Sequence, residues 1–423
     1  MIKLQNTYKN IACHIKDPLD ADFIYIEWPN GELKTFSRDF VEWFRGFSDA
    51  EAFFTIKQNA SSSFSYIFGI GLHIDDLGVL NHIKDTLGIG KVRVDKNLSI
   101  AHFKVTSSSE IALIIAIFDK FNLNSTKHLN FLAFQEAFKL SMDNNNKEGW
   151  KIINPLIHNI KNKANNLRTD FAMPDNHKIV ITREWLLGFS EGDGSFSYII
   201  SGESLSYSIS QKDNLALLIA IKDYLISINS QLGCSYGGKE VPKIYPLSND
   251  RIFQLAVRDL NFLESVIIPL FDDLTWYTKK ELDFKDWKLI IKLRKQGFHL
   301  SKEGIDLIAR VAGQMNNRRL STYNATQENR SLLMAEVNKL LDEGSNYIIK
   351  GNKVWIKSLN RFKNDNSTEA AHSVDKSSGD IIMSFESQSS CARFFNMGEA
   401  GVRKRIKNKT IFSYEGKEVY IMK

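Results

Sequence analysis

Apolar, small and acidic positions recur in one order at two places in the chain. Trp43 to Phe54 reads WFRGFSDAEAFF and Trp185 to Phe196 reads WLLGFSEGDGSF. Each has a glycine after two variable residues, then Phe-Ser, then two acids separated by one small residue, then an aromatic pair or Ser-Phe. Phe40, Phe44 and Phe47 fall at i, i+4 and i+7, the spacing of an apolar helix stripe. Asp39 with Glu42 makes a capping-box pattern before the first string, and Thr182 is placed to cap the second helix. Gly46 and Gly188 leave gaps through which another backbone can approach, so a close helix pair is expected. Each helix gives way to strand-like residues, FFTI or FSYII, which puts Glu51 and Asp193 at helix C-termini. A carboxylate is unfavourable at that negative end of the helix dipole, and a bound cation reverses the balance. A single string would fit an ordinary amphipathic helix; the repetition of glycine and acids together argues for a site.

The pattern around the strings also repeats. FGIGLHIDDLGVLNHIKDTLGIGKVRV alternates like a strand up to His73 and then turns amphipathic, and YSISQKDNLALLIAIKDYLISINSQLGCSY has the same order. Ala101 to Phe134 matches Arg251 to Trp287 as strand, helix, then a lysine four residues before an aromatic: Lys127 and Lys280, with Lys279 adjacent so that the register is open by one residue. His73 and Gln211 are read as equivalent positions after the first long strand, where a polar side chain either positions water or is an ordinary surface residue. The repeats are expected at residues 37–140 and 179–320, each as α-β-β-α-β-β-α.

The remaining stretches differ in character. Residues 1–36 form an extension with an alternating run at Phe23 to Trp28 and a turn at Pro29-Asn30-Gly31. Residues 141–178 carry an Asn run, Pro155 and Pro174 and are expected to link the repeats, with Lys161, Lys163 and Arg168 as candidates for phosphate contact. Residues 321–378 are expected to hold a helix, a hairpin around Asn346 to Lys357 and, from Asn364 to Ser378, a flexible connection with almost no bulky apolar residue. Residues 379–423 read as a separate small unit: a helix at Ser387 to Asn396, a turn at Met397-Gly398, a helix at Glu399 to Lys407 and a hairpin at Glu415-Gly416. Its RKRIKNK string offers five basic side chains, Arg403, Lys404, Arg405, Lys407 and Lys409, for phosphate contact.

Composition narrows the class. The 423 residues carry 55 Lys and Arg against 49 Asp and Glu, a net charge of +6, which is too mild to name a partner by itself. Three scattered cysteines, Cys13, Cys234 and Cys391, supply neither a disulfide framework nor a CxxC zinc site, and a reducing compartment fits. No run approaches a membrane span, and the first 16 residues lack a signal-peptide core and contain no Arg, which gives a transit peptide little support.

The two strings resemble the LAGLIDADG motif, whose nine positions fall on Phe44 to Ala52 and Leu186 to Gly194, and the chain resembles a single-chain homing endonuclease of organellar group I introns. Arg45 and Leu187 depart from the motif's small second residue, and Ala52 from its final glycine. The resemblance implies an α+β fold of two pseudo-symmetric repeats forming a saddle over DNA, and a monomer cutting a long site on double-stranded DNA. It further implies Glu51 and Asp193, with the carbonyls of Ala50 and Gly192, as ligands for Mg2+, with Mn2+ as a substitute. Lys127, Lys280, Gln211 and His73 take supporting catalytic places, whereas Asp49 and Glu191 are expected to be structural. The C-terminal unit resembles the helix-turn-helix modules appended to intron-encoded nucleases, and a mitochondrial matrix location follows. An alternative is a maturase acting on its own intron RNA. The intact acids favour cleavage, and a regulator using only the C-terminal helices leaves them unexplained.

Overall fold

The computed structural model describes residues 7–17, 22–59, 63–144, 147–200, 204–232, 241–248, 251–323, 329–350, 353–363, 371–385, 387–414 and 416–422. They divide into two compact units, the first comprising residues 1–234, 241–292 and 308–334, the second built mainly from 293–307 and 335–423.

The first unit opens with an antiparallel sheet of β1 (His14–Lys16), β2 (Phe23–Glu27) and β3 (Leu33–Ser37). The first repeat follows as α1 (Arg38–Glu51), β4 (Ala52–Gln58), β5 (Phe64–His73), α2 (Leu77–Leu87), β6 (Lys91–Asp95), β7 (Ile100–Val105), α3 (Ser108–Lys120), α4 (Lys127–Asp143) and α5 (Lys147–Asn162). The second repeats the order with α6 (Arg183–Asp193), β8 (Gly194–Ile199), β9 (Ser204–Lys212), α7 (Leu215–Leu232), β10 (Lys243–Ser248) and β11 (Ile252–Val257). A helical run follows, from α8 (Leu260–Phe262) through a wide turn to α9 (Ile268–Asp272), and then α10 (Lys280–Lys295) and α11 (Lys302–Ala312). The sheets have matching strand orders, β4-β5-β7-β6 and β8-β9-β11-β10. The α+β architecture expected from the sequence is therefore present.

Alternation in the strands decides the cores. In β4 the inward residues Ala52, Phe54 and Ile56 are buried, and Phe54 packs among Phe68, Phe118, Phe131 and Phe134. Phe196 of β8 holds the same place among Tyr207, Phe271, Phe284 and Trp287. Each fully buried ring contributes about 1.5–3 kcal/mol relative to exposure.

The helix pair α1 and α6 packs backbone to backbone. A Cβ on Gly46 would stand 2.0 Å from the Trp185 carbonyl oxygen, and one on Gly188 would stand 2.2 Å from that of Trp43. Ser37, rather than Asp39, caps α1, its hydroxyl accepting from the Phe40 amide at 3.2 Å; Thr182 caps α6 as expected, at 3.1 Å from the Trp185 amide. Arg45 lies beside the pair, its guanidinium 6.0 Å from the centre of the Trp185 ring of α6. Its guanidinium is buried in the junction, donating to Glu42 at 2.6 Å, the Val180 carbonyl at 2.8 Å and the Asn122 carbonyl at 3.0 Å. Ala52 has φ −76° and Gly194 φ −77°, the same extended conformation, so the missing final glycine introduces no backbone strain.

Two boundaries differ from the sequence reading. α5 and the 3-10 turn at Asn165–Leu167 correspond to α11 and the turn at Asn316–Arg319, so residues 147–168 belong to the first repeat and the linker begins after them. In the second unit, Ala371–Asp375 forms β15, the strand between β16 (Ile381–Phe385) and β18 (Lys417–Met422), with Ala371 and Val374 buried. Among the described residues the small C-terminal unit thus includes Ala371–Asp375, inside the stretch expected to be flexible; residues 364–370 and Glu415 lie outside the described residues. Upstream, α12 (Arg330–Asp342) precedes a sheet of β12 (Tyr347–Lys350), β13 (Lys353–Ile356) and β14 (Arg361–Phe362). On β15, β16, β18 and β17 (Phe412–Tyr414) pack α13 (Gln388–Phe394) and α14 (Glu399–Asn408), around Phe385, Cys391, Val402 and Ile421. Among the described residues no helix is long and apolar enough to cross a membrane.

Candidate active site

The C-terminal ends of α1 and α6 meet. A Cβ on Gly192 would lie 2.3 Å from that of Ala50 and 3.2 Å from Oε1 of Glu51, so the last turns touch where the acids emerge. Burial raises the pKa of Glu51, and the Asp193 charge adds to it; burial likewise raises that of Asp193. Glu51 is half-buried and Asp193 keeps an exposed edge, so two carboxylates meet at the mouth of the helix pair, where a cation would relieve the cost of holding both charges.

The first acid of each string does different work, and does it across the helix pair. Trp43 of α1 donates its indole N–H to Glu191 at 2.5 Å, and Trp185 of α6 donates to Asp49 at 2.9 Å. Asp49 also accepts the amides of Asn124 and Ser125, both at 2.8 Å. Glu191 accepts the amides of Tyr277 and Thr278, at 2.8 and 2.6 Å, and the Thr278 hydroxyl at 2.9 Å. These contacts anchor the segments that lead into α4 and α10, whose first residues are Lys127 and Lys280. The structural role expected for Asp49 and Glu191 is what the hydrogen bonds describe.

Both lysines then reach back to the acids. Lys127 Nζ donates to the Ala50 carbonyl at 2.8 Å; Lys280 Nζ donates to the carbonyls of Gly192 at 2.8 Å and Gly194 at 2.7 Å. Burial lowers the pKa of both ammonium groups, against the pull of the neighbouring carboxylates. Lys279 points elsewhere, its amide donating to Asp76 at 2.8 Å and its ammonium lying 3.7 Å from Asp75, so of the two lysines Lys280 is the one that reaches the end of α6.

Gln211 lies at the site, its amide Nε2 donating to Asp193 at 2.6 Å, while Asn214 donates to Gln211 at 3.0 Å and accepts the Thr126 amide at 2.7 Å. His73 does not lie there. Its ring contacts Thr322 at 3.1 Å and Asp75. The ladders give the reason: Ala52 pairs with Ile70 where Gly194 pairs with Ile209, so the counterpart of Gln211 is Leu72, and His73 corresponds to Lys212 on the opposite face. An extra residue in the turn before α2 disguises the offset.

Among the described residues no group of three or more His, Cys, Asp or Glu is placed to hold a metal. The set present is two carboxylates with the Ala50 and Gly192 carbonyls turned toward cationic groups. It suits a hard divalent ion that completes its shell with water and phosphate oxygens.

Of the expected phosphate contacts, Lys163 is exposed and Lys161 half-buried. Arg168 is committed inward, donating to Asn130 at 3.1 Å and to the Leu129 carbonyl at 3.0 Å. On α14, Arg403, Lys404 and Lys407 are exposed, as is Lys409 just after it, whereas Arg405 lies over Phe412 at 5.5 Å. The first sheet's outer face carries Lys57, Lys91, Arg93, His102 and Lys104, and the second's carries Ser195, Ser197, Ser210, Lys212 and Gln254.

The family model described as "LAGLIDADG endonuclease" matches the chain twice, over residues 44–138 and 186–291, each match spanning one acid, one lysine and the sheet between them. The chain belongs to the LAGLIDADG endonuclease family. It is 26% identical over 392 residues to "Uncharacterized mitochondrial protein RF1" of Saccharomyces cerevisiae, covering 88% of this chain and 80% of that protein. It is 25% identical over 280 residues to "Probable intron-encoded endonuclease Cox1-I1b" of Schizosaccharomyces pombe, covering 64% and 69%. Among solved structures it resembles the meganuclease I-SmaMI bound to DNA, at 25% identity and TM-score 0.56, over 66% of this chain and 98% of that one. Within this LAGLIDADG protein the two halves are unequal, since Gln211 donates to Asp193 while the matching register position of the first half is Leu72, which has no side-chain donor.

Proposed function

We propose that this LAGLIDADG protein is a homing endonuclease, a site-specific DNA endonuclease that breaks both strands of a long target in the intronless form of its own locus. The observation that carries the reading is the convergence of Glu51 and Asp193 from two glycine-tight helices, each with a lysine, Lys127 or Lys280, drawn to the adjacent carbonyl. Phosphodiester hydrolysis needs charge neutralised at the scissile phosphate and a proton source or sink near the leaving oxygen, and paired acids and amines supply this chemistry. Glu51, Asp193 and the carbonyls of Ala50 and Gly192 would hold Mg2+ or Mn2+, which stabilises phosphate charge and activates water. Lys127 and Lys280 organise the phosphate side, and Gln211 orients Asp193. Strands of a sheet can enter the major groove, and the polar positions on the two outer faces read the bases. One chain binds one site as a monomer, because diverged repeats impose no twofold symmetry on the target. The mitochondrial matrix is the proposed location, in keeping with the names of the fungal relatives. No observation favours the maturase reading.

The test is incubation of purified protein and Mg2+ with DNA spanning the uninterrupted insertion locus, followed by sequencing of the ends. A unique double-strand break is expected; intact DNA at every divalent ion tried would reject the reading. For the C-terminal unit, phosphate contact by Arg403, Lys404 and Lys407 of α14 and by Lys409 after it predicts that a chain ending at Lys363 binds the target more weakly and with a shallower salt dependence, because fewer counterions are released. Unchanged salt slopes by fluorescence anisotropy would remove α14 from the interface.

A further inference from the structure

Each repeat ends in a third matched element that the strings at α1 and α6 do not include: Asn165-Asn166-Leu167-Arg168 and Asn316-Asn317-Arg318-Arg319. Asn165 and Asn316 both adopt left-handed backbone, with φ of 52° and 57°. Asn165 Nδ2 donates to the Phe54 carbonyl at 2.9 Å, and Asn316 Nδ2 to the Phe196 carbonyl at 3.1 Å. Those carbonyls lie three residues beyond Glu51 and Asp193. The backbone amides of the same asparagines donate to Asn130 Oδ1 and Asp283 Oδ1, each at 2.9 Å. Arg168 and Arg319 close the contact, their Nε donating to the same oxygens at 3.1 and 2.8 Å. Asn130 and Asp283 lie three residues beyond Lys127 and Lys280, on the first turns of α4 and α10. In both halves a four-residue turn therefore ties the strand leaving the acid to the helix carrying the lysine.

We propose that Asn165 with Arg168, and Asn316 with Arg319, are positioning residues that set the lysine of their own half against its acid, so that each turn governs cleavage of one DNA strand. The inference rests on the endonuclease reading above. It follows from where the contacts fall. The segment before each lysine is already anchored by Asp49 or Glu191, and the turn pins the same helix on its other side, so the start of the helix is held from two directions. The two turns differ in strength. In the first half Arg168 meets a neutral amide. In the second Arg319 also meets Asp286 at 2.5 Å, and Arg330 holds the same carboxylate at 2.7 Å. The first is therefore the more easily disturbed.

The test uses the full chain and a target recovered from a randomised duplex library, labelled on each strand in turn. Lys127→Met and Lys280→Met first define which strand each lysine serves. Arg168→Ala is expected to slow the Lys127 strand by about tenfold or more while the other strand keeps its rate, since an ångström-scale misplacement carries losses of up to about a hundredfold. Arg319→Ala is expected to do the same to the Lys280 strand, and Arg168→Lys to recover part of the loss. Asn165→Gly and Asn316→Gly keep the left-handed backbone accessible and remove only the side-chain contact, so they report on positioning even if the arginine variants fold poorly. Strand-selective loss at unchanged DNA affinity supports the proposal. Equal slowing of both strands, loss on the strand of the other lysine, or parental rates in the glycine variants overturns it. The parental enzyme on the same DNA separates this from the broader reading, which fails if the parent cuts neither strand.

Discussion

Glu51→Gln and Asp193→Asn are each expected to reduce double-strand cleavage by roughly a hundredfold or more, because charge stabilisation by a bound divalent ion is worth several kcal/mol of transition-state energy. DNA affinity should change little, since either replacement removes a charge and almost no contact surface. Cutting at the parental rate by both variants would dismiss the acids from the chemistry. The same substitutions carry an opposite signature in stability. Burial raises the pKa of both carboxyls, so the folded state holds their protons more tightly than the unfolded chain does. The stabilisation linked to those protons is fully present below the unfolded carboxyl pKa and is lost as pH rises toward the raised folded values. Without divalent ions, the neutral variants should therefore melt above the parent at neutral pH, with the gap closing as pH falls into the ordinary carboxylate range. Added Ca2+ should stabilise the parent more as pH rises, and the variants less than the parent. Thermal melts across pH with and without Ca2+ read both effects.

Gly46→Ala and Gly188→Ala should be among the most damaging single changes outside the acids. The added methyl groups would stand 2.0 Å from the Trp185 carbonyl oxygen and 2.2 Å from that of Trp43, and both partners are backbone, which cannot rotate out of the way. Overpacking usually costs about 1–3 kcal/mol, and a clash with backbone lies at or beyond the upper end. The helices must separate or slide, which carries Glu51 and Asp193 apart, so cleavage should fall further than stability alone explains. Gly78→Ala is the control: nothing lies within 4 Å of the added carbon, and in α2 the change improves helix propensity by up to about 1 kcal/mol. A Gly46→Ala protein with parental melting temperature and rate would contradict the backbone packing described here.

What could be read from the residues was what appeared twice in the same form. The glycines, both acids of each string and the lysines before an aromatic survived because two copies fixed their spacing. Lys279 and Lys280 could not be told apart along the chain, since the choice depends on Asp76 capping one amide and Glu191 holding the preceding turn, both distant in sequence. His73 was paired with Gln211 because the turn before α2 has an extra residue, and only the strand ladder exposes the shift to Leu72. α5 resembled a linker because an Asn run precedes it and Pro155 lies inside it, yet it is the counterpart of α11. The Asn-Asn-x-Arg turns also occur twice, but along the chain polar residues after a helix resemble a connection. β15 is five residues long and rich in small side chains, so pairing with β16 and β18, rather than any apolar run, makes it a strand.

The indole contacts that cross the helix pair bear on how such a molecule diverges after duplication. Trp43 holds the acid that anchors the lysine segment of the second half, and Trp185 holds the corresponding acid of the first. Neither half carries a complete set of supports for its own chemistry. Drift in one copy is therefore felt in the other, and the tryptophans should be the last positions to change while the sheet faces differentiate toward unlike half-sites. A chimera joining one half of this enzyme to the opposite half of a relative should work only where the incoming helix brings a tryptophan in the matching register.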